Sequence, residues 1–124
     1  MQKKPKYKNV LLDIYDFFEE NINKLNSQKI IIDPGIGFGK TLKHNLTLIS
    51  KISLFHSLGH PILVGTSRKR FINQISGIND SKDRTGGTLA SVLFLLSQGV
   101  QLFRIHNVNE VKQGILVYEK ILSN

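Results

Sequence analysis

With 124 residues, 40% of them apolar, the chain is long enough for one compact domain and too short for two. It contains no cysteine, which excludes disulfides, thiolate metal sites and thiol redox chemistry. The formal charge of +8 invites a nucleic-acid reading, but Lys3, Lys4, Lys6 and Lys8 read as a solvated arm and Arg68, Lys69 and Arg70 form the one tight cluster further in. Aromatic residues do not interleave with these charges as they do on a strand-binding platform. No run reaches the ~18 apolar residues of a membrane span, and the first residues lack the apolar core of a signal peptide. The expectation is a cytoplasmic protein with neither a nucleic-acid nor a membrane partner.

From about Asn9 to Leu25, the residues Val10, Leu11, Ile14, Phe17, Phe18, Ile22 and Leu25 recur with the period of an amphipathic helix. Asn26, Ser27 and Gln28 break the pattern, and Lys29 to Asp33 then reads as a buried strand of isoleucines that ends in an acid and a proline. Beyond it, Gly35, Gly37 and Gly39 let the backbone turn tightly and come close to a ligand. Two phosphate motifs fail here. Gly39-Lys40-Thr41 has the ending of a P-loop, but Pro34 stands where its first glycine is required. The dinucleotide fingerprint needs a small residue where Lys40 stands. A second helix, from about Lys43 to Leu58, carries Leu46, Ile49, Ile52 and Phe55 on one side, with Gly59 as its stop.

Pro61 to Gly65 is a short, continuously apolar strand, as expected of one covered on both faces. Thr66 to Arg70 follows at its end. A helical stretch from Phe71 to Ile75 runs into Ser76 to Thr88, whose polar residues and glycines predict a mobile loop. Helix resumes over Leu89 to Ser97, with Gly99 as its stop. A third strand, Gln101 to Ile105, ends at Arg104 and His106, and a closing helix from Asn109 to Leu122 has Val111, Ile115, Tyr118 and Leu122 on one face.

The order is a helix followed by three strand–helix units, which requires parallel strands joined by right-handed crossovers. In such sheets ligands bind beyond the carboxyl ends of the strands. All three chemistry-bearing clusters follow strand ends: Asp33, then Ser67 to Arg70, then Arg104 and His106. The Asp33 carboxylate suits a ring with adjacent donors, since its two oxygens accept parallel hydrogen bonds. Lys69, Arg104 and His106 suit a phosphate or pyrophosphate. Lys40 is either loop charge or an anion guide, and His44, His56 and His60 read as surface residues.

The segments IIIDPGIGFGKT, LVGTSRKRFI and LFRIHNV, in that order and spacing, resemble the C-terminal half of dihydropteroate synthase, across nearly the whole chain. That resemblance implies an α/β fold, part of a (β/α)8 TIM barrel, with residues 1–124 as the C-terminal portion of a pterin-binding domain. It implies a transferase of folate biosynthesis that joins a dihydropterin methyl pyrophosphate to p-aminobenzoate and releases pyrophosphate. By the same resemblance Asp33 pairs with the pterin ring, and Lys69 contacts the pterin near the aminobenzoate. Arg104 and His106 hold the pyrophosphate, with Arg104 also along the pterin face. Ser67 and Phe38 belong to the aminobenzoate pocket, and Gly65 joins the substrate-binding set. Lys69, Arg104 and His106 are the implied catalytic residues.

Two positions depart from the family pattern: Arg70 and Asn107 stand where serine and aspartate are usual. The N-terminal half of the family barrel, with its Mg²⁺ ligand, has no counterpart in these residues, so Mg²⁺ is implied without a protein ligand here. Three strands cannot close an eight-stranded barrel. The chain therefore reads as a fragment, inactive alone and prone to associate, whose partners are the missing barrel half and a second copy through the C-terminal helices. The alternative is a stand-alone phosphate-binding or interaction module without catalysis.

Overall fold

The computed structural model describes residues 7–25 and 29–124. The readings of Lys3, Lys4 and Lys6 as an arm, and of Asn26 to Gln28 as a break, lie outside them. Helix α1 (Val10–Leu25) is followed by α2 (Leu42–Ser50) and a 3-10 helix (Ile52–Leu58). Strand β1 (Leu63–Val64) leads to α3 (Arg70–Ser76), a 3-10 turn (Ser81–Asp83) and α4 (Thr85–Ser97). Strand β2 (Leu102–Phe103) and α5 (Val108–Leu122) complete the order. No helix among the described residues is long and apolar enough to cross a membrane.

The strands are parallel, as the crossovers require. Leu63 lies opposite Leu102, and Val64 opposite Phe103. The expected strand Lys29 to Asp33 contracts to one parallel bridge, Ile32 to Ile62. Its bonds run from the Ile32 N–H to the Pro61 carbonyl (2.9 Å) and from the Leu63 N–H to the Ile32 carbonyl (2.8 Å). Pro34 has no N–H to continue the ladder, and Gly35, at φ 71°, turns the chain away. The other two strands are also shorter than expected, since the last link, Arg104 N–H to the Val64 carbonyl, is already stretched to 3.4 Å. The architecture is a small parallel sheet among helices, consistent with part of a (β/α) barrel.

Ile32, Ile62 and Val64 are buried from the sheet, and Ile62 and Val64 pack into one core with Leu48, Ile49, Ile52, Phe55, Leu95 and Val100. The expected single helix over Lys43 to Leu58 splits at Lys51. Three residues per turn stack Ile52 over Phe55 on one side, and both are fully buried. Against Phe55 lie Phe18, edge-on at 5.7 Å, and Tyr15, stacked at 6.2 Å, which docks α1. Phe17 and Leu25, expected on that face, point outward, and Leu48 rather than Leu46 faces the core.

The predicted loop Ser76 to Thr88 is largely structured. Asp80 caps the 3-10 turn through the Lys82 N–H, and α4 begins at Thr85, so Gly86 and Gly87 are helical. Gly87 is there because α4 lies against α3: a Cβ at this position would collide with Ile72. On the other side of α4, α5 packs so closely that a Cβ at Gly114 would sit 2.5 Å from Leu89 Cδ1. Val111 is fully buried in that contact, whereas Leu122, expected on the same face, is exposed.

Candidate functional site at the strand ends

The glycine loop is held from inside. Asp33 Oδ1 accepts the Gly35 N–H at 2.9 Å, and Asn45 Oδ1 accepts the Gly37 N–H at 2.8 Å. The Lys40 ammonium donates to the carbonyls of Gly35 and Phe38, both at 2.8 Å. Thr41 and His44 exchange side-chain and backbone bonds as a capping box at the start of α2. Lys40 and Thr41, which resemble a P-loop ending in sequence, are thus occupied in building the loop. At Gly37, with φ 89°, an added Cβ would also press on the Lys69 side chain at 3.3 Å. Glycine there gives that lysine its path.

Beyond β1 the chain reverses at Arg68, whose φ of 57° is left-handed in a residue with a side chain. Four bonds hold this conformation. The Arg68 N–H donates to Thr88 Oγ1 (3.1 Å), its carbonyl accepts from Arg84 Nη1 (2.9 Å), and its guanidinium donates to Asn107 Oδ1 at 3.2 and 3.4 Å. Arg84 also donates to the carbonyls of Ile78 and Asn79, anchoring the segment before α4 to the same turn. From this turn Lys69 reaches back across the glycine loop. Its Nζ donates to the Ile36 carbonyl at 3.2 Å and sits 4.2 Å from the centre of the Phe38 ring, a cation over a π face.

At the end of β2, Arg104 Nη1 lies 3.8 Å from Asp33 Oδ2. Between them Gly65 leaves the space open: a Cβ on it would stand 3.8 Å from both Cβ and Nη1 of Arg104. Ser67 is buried and meets His106 twice, with Oγ accepting the His106 N–H at 3.0 Å and lying 2.8 Å from Nδ1.

The rim has more positive than negative charge. Burial holds the Lys69 ammonium below the usual lysine pKa; Asp33 opposes that shift, and Arg104 adds to it. Lys40 is lowered in the same way, by burial first, against Asp33 and with Lys69. Each of these lysines would be relieved by an anion arriving at the rim.

The seven expected positions, Asp33, Phe38, Gly65, Ser67, Lys69, Arg104 and His106, fall on this one edge of the sheet, in two linked groups. Asp33, Gly65 and Arg104 form one. Lys69 and Phe38 join it through the glycine loop, while Ser67 and His106 form a pair of their own. Sequence reasoning missed Asn45 and Arg84, and named Arg68 only as part of the Ser67 to Arg70 cluster.

Fold and rim together define an α/β protein with a cation-rich rim at its strand ends, where the Asp33 carboxylate faces Arg104. The model of the pterin binding enzyme family matches residues 1–106, and the chain belongs to that family. Over 128 residues it is 37% identical to the dihydropteroate synthase of Escherichia coli K12, covering 99% of this chain and 45% of that protein. The structure of Thermus thermophilus dihydropteroate synthase in complex with 4-aminobenzoate superposes with a TM-score of 0.89 at 38% identity, over 93% of this chain and 46% of that one. The same enzyme in complex with 6HMPPP gives 0.88 at 36% identity, over 95% and 48%. The chain therefore spans about half the length of the relatives it matches.

Proposed function

We propose that this chain supplies the C-terminal half of a dihydropteroate synthase active site, as an incomplete (β/α)8 barrel unit spanning residues 1–124. The observation that carries this reading is the meeting of Asp33 and Arg104 across the end of β1, with Lys69 folded over the adjoining loop. In this reading Asp33 accepts paired hydrogen bonds from the donor edge of a dihydropterin. Arg104 lies along the ring face and, with His106, binds the pyrophosphate. Lys69 bridges the pterin and the aminobenzoate, with Phe38 and Ser67 bordering the latter and Gly65 leaving room beneath Arg104. The carbon–oxygen bond from the pterin methylene to pyrophosphate breaks, the amine nitrogen of p-aminobenzoate bonds to that carbon, and the amine gives up a proton to solvent. Leaving-group loss runs ahead of attack, so Arg104 and Lys69 act where negative charge develops on the departing pyrophosphate. No nucleophilic side chain is required.

The described residues do not fit the Mg²⁺ that the family resemblance implies. No three His, Asp or Glu side chains among them converge on a metal-sized point, and the Asp33 carboxylate is engaged by Gly35 and Arg104 among further cations. In this reading a divalent ion at the rim is held by groups outside these residues. The proposed partners are a complementary barrel half and a second copy of the chain, in a cytoplasmic setting. Ile31, exposed beside a strand reduced to one bridge, supports the first. Leu116, Val117, Ile121 and Leu122, exposed on α5, support the second.

The test is calorimetric titration of the 124-residue chain with dihydropterin pyrophosphate, alone and mixed with the N-terminal half of the Escherichia coli relative. Binding is expected in the mixture, weakened about 10- to 150-fold by Asp33→Asn, and turnover is expected only there. Ordinary turnover of both substrates by the isolated chain would overturn the half-site reading. So would a stable mixed complex without pterin affinity. The cation excess at the rim favours one second reading, a phosphate-binding module, in which inorganic pyrophosphate binds the chain alone and Arg104→Ala abolishes that binding.

A further inference from the structure

The Ser67–His106 pair fixes more than a position. Ser67 is 6% exposed, and among the described residues its hydroxyl meets His106 alone, at the backbone N–H and at Nδ1. The backbone N–H takes one lone pair of Oγ. When the hydroxyl proton points to Nδ1, every polar atom of the pair is satisfied, and the imidazole is neutral with its hydrogen on Nε2. A proton on Nδ1 would make Oγ accept twice and leave its own hydrogen buried without an acceptor, the costlier arrangement.

We infer that Ser67 is a positioning residue that holds His106 as the neutral Nε2–H tautomer, presenting one uncharged donor two residues along from Arg104. In this tautomer His106 donates a hydrogen bond from Nε2–H to a leaving pyrophosphate, beside the fixed charge of Arg104. This last step rests on the pyrophosphate reading of the rim; the tautomer does not.

Long-range ¹H–¹⁵N correlation spectra of the labelled 124-residue chain test it, recorded at about pH 9, well above the ~6.5 of an ordinary imidazole. In the unmodified chain His106 is expected to show an unprotonated Nδ1 and a protonated Nε2. Ser67→Thr, which keeps the hydroxyl, should retain the pattern, and Ser67→Ala should shift both nitrogens toward averaged positions. An Nδ1–H pattern in the unmodified chain overturns the inference whether or not a variant folds, as does an unchanged pattern in folded Ser67→Ala. Inorganic pyrophosphate added to the labelled chain mixed with the N-terminal half of the Escherichia coli relative is expected to shift the Nε2–H resonance. No response would remove the leaving-group role and the anion reading with it, while the tautomer is decided by the ligand-free spectra.

Discussion

Arg104 reaches Asp33 by passing over Gly65, so two residues on strand segments that do not pair with each other meet across the end of the strand between them, at 3.8 Å. The passage depends on the size of residue 65. A single Cβ there would stand at ordinary contact distance from Arg104, 3.8 Å, whereas a branched side chain would occupy the guanidinium's place. Gly65→Ala is expected to leave pyrophosphate affinity within about twofold and Gly65→Leu to weaken it about tenfold, the loss of one charge-assisted bond. Equal affinities for the two variants by calorimetry would show that the arginine does not act from this position.

Asp33→Asn separates support of the fold from recognition of the ligand. The ion pair with Arg104 is long and its side chains are 68% and 37% exposed. Such pairs contribute at most about 1 kcal/mol, so urea unfolding should change by no more than that. In a completed barrel the same variant should lose about 1.5–3 kcal/mol of pterin affinity, the range for hydrogen bonds to a charged group.

Lys40 gives the opposite result. Its ammonium bonds two carbonyls of the glycine loop. Lys40→Met should destabilise the fold by about 1–2 kcal/mol in urea unfolding, through those lost bonds. A neutral effect would mean that the loop holds its shape without this clamp.

Asn107 accepts from the Arg68 guanidinium at 3.2 and 3.4 Å while standing at the N-cap of α5. Asn107→Asp would add charge to that bond and place a carboxylate at the positive end of a helix. The expected gain is about 0.5–1 kcal/mol, seen as a rise in Tm of about 2–5 °C.

Alkaline pH should reveal the lowered pKa of Lys69. Between its folded value and the 10.5 of a free lysine, the unfolded chain binds more protons than the folded one, so this residue's contribution to stability rises with pH. Its penalty is fully present at neutral pH and is relieved as pH climbs through the folded pKa. The stability of the unmodified chain minus that of Lys69→Met should grow over this window. A flat difference in urea unfolding up to about pH 10 would contradict the burial of this ammonium.

The local features of the chain determined the order of elements and the face that carries chemistry. Helical periodicity placed α1 and α5 within a residue or two, Gly59 and Gly99 ended their helices at positive φ, and the acid and base clusters fell at strand ends because turn residues mark those ends in sequence. The tertiary structure alone decided what each charge is used for. Arg68 reads as a generic cation until the distant Asn107 amide comes within reach. Ser67 and His106 show no relation in sequence, yet they share two hydrogen bonds. The helix that broke at Lys51, the glycines absorbed into α4 and the outward turn of Phe17 have the same origin. Period and propensity are local quantities, whereas strand length, side-chain direction and hydrogen-bond partners are fixed by segments far along the chain that only folding brings together.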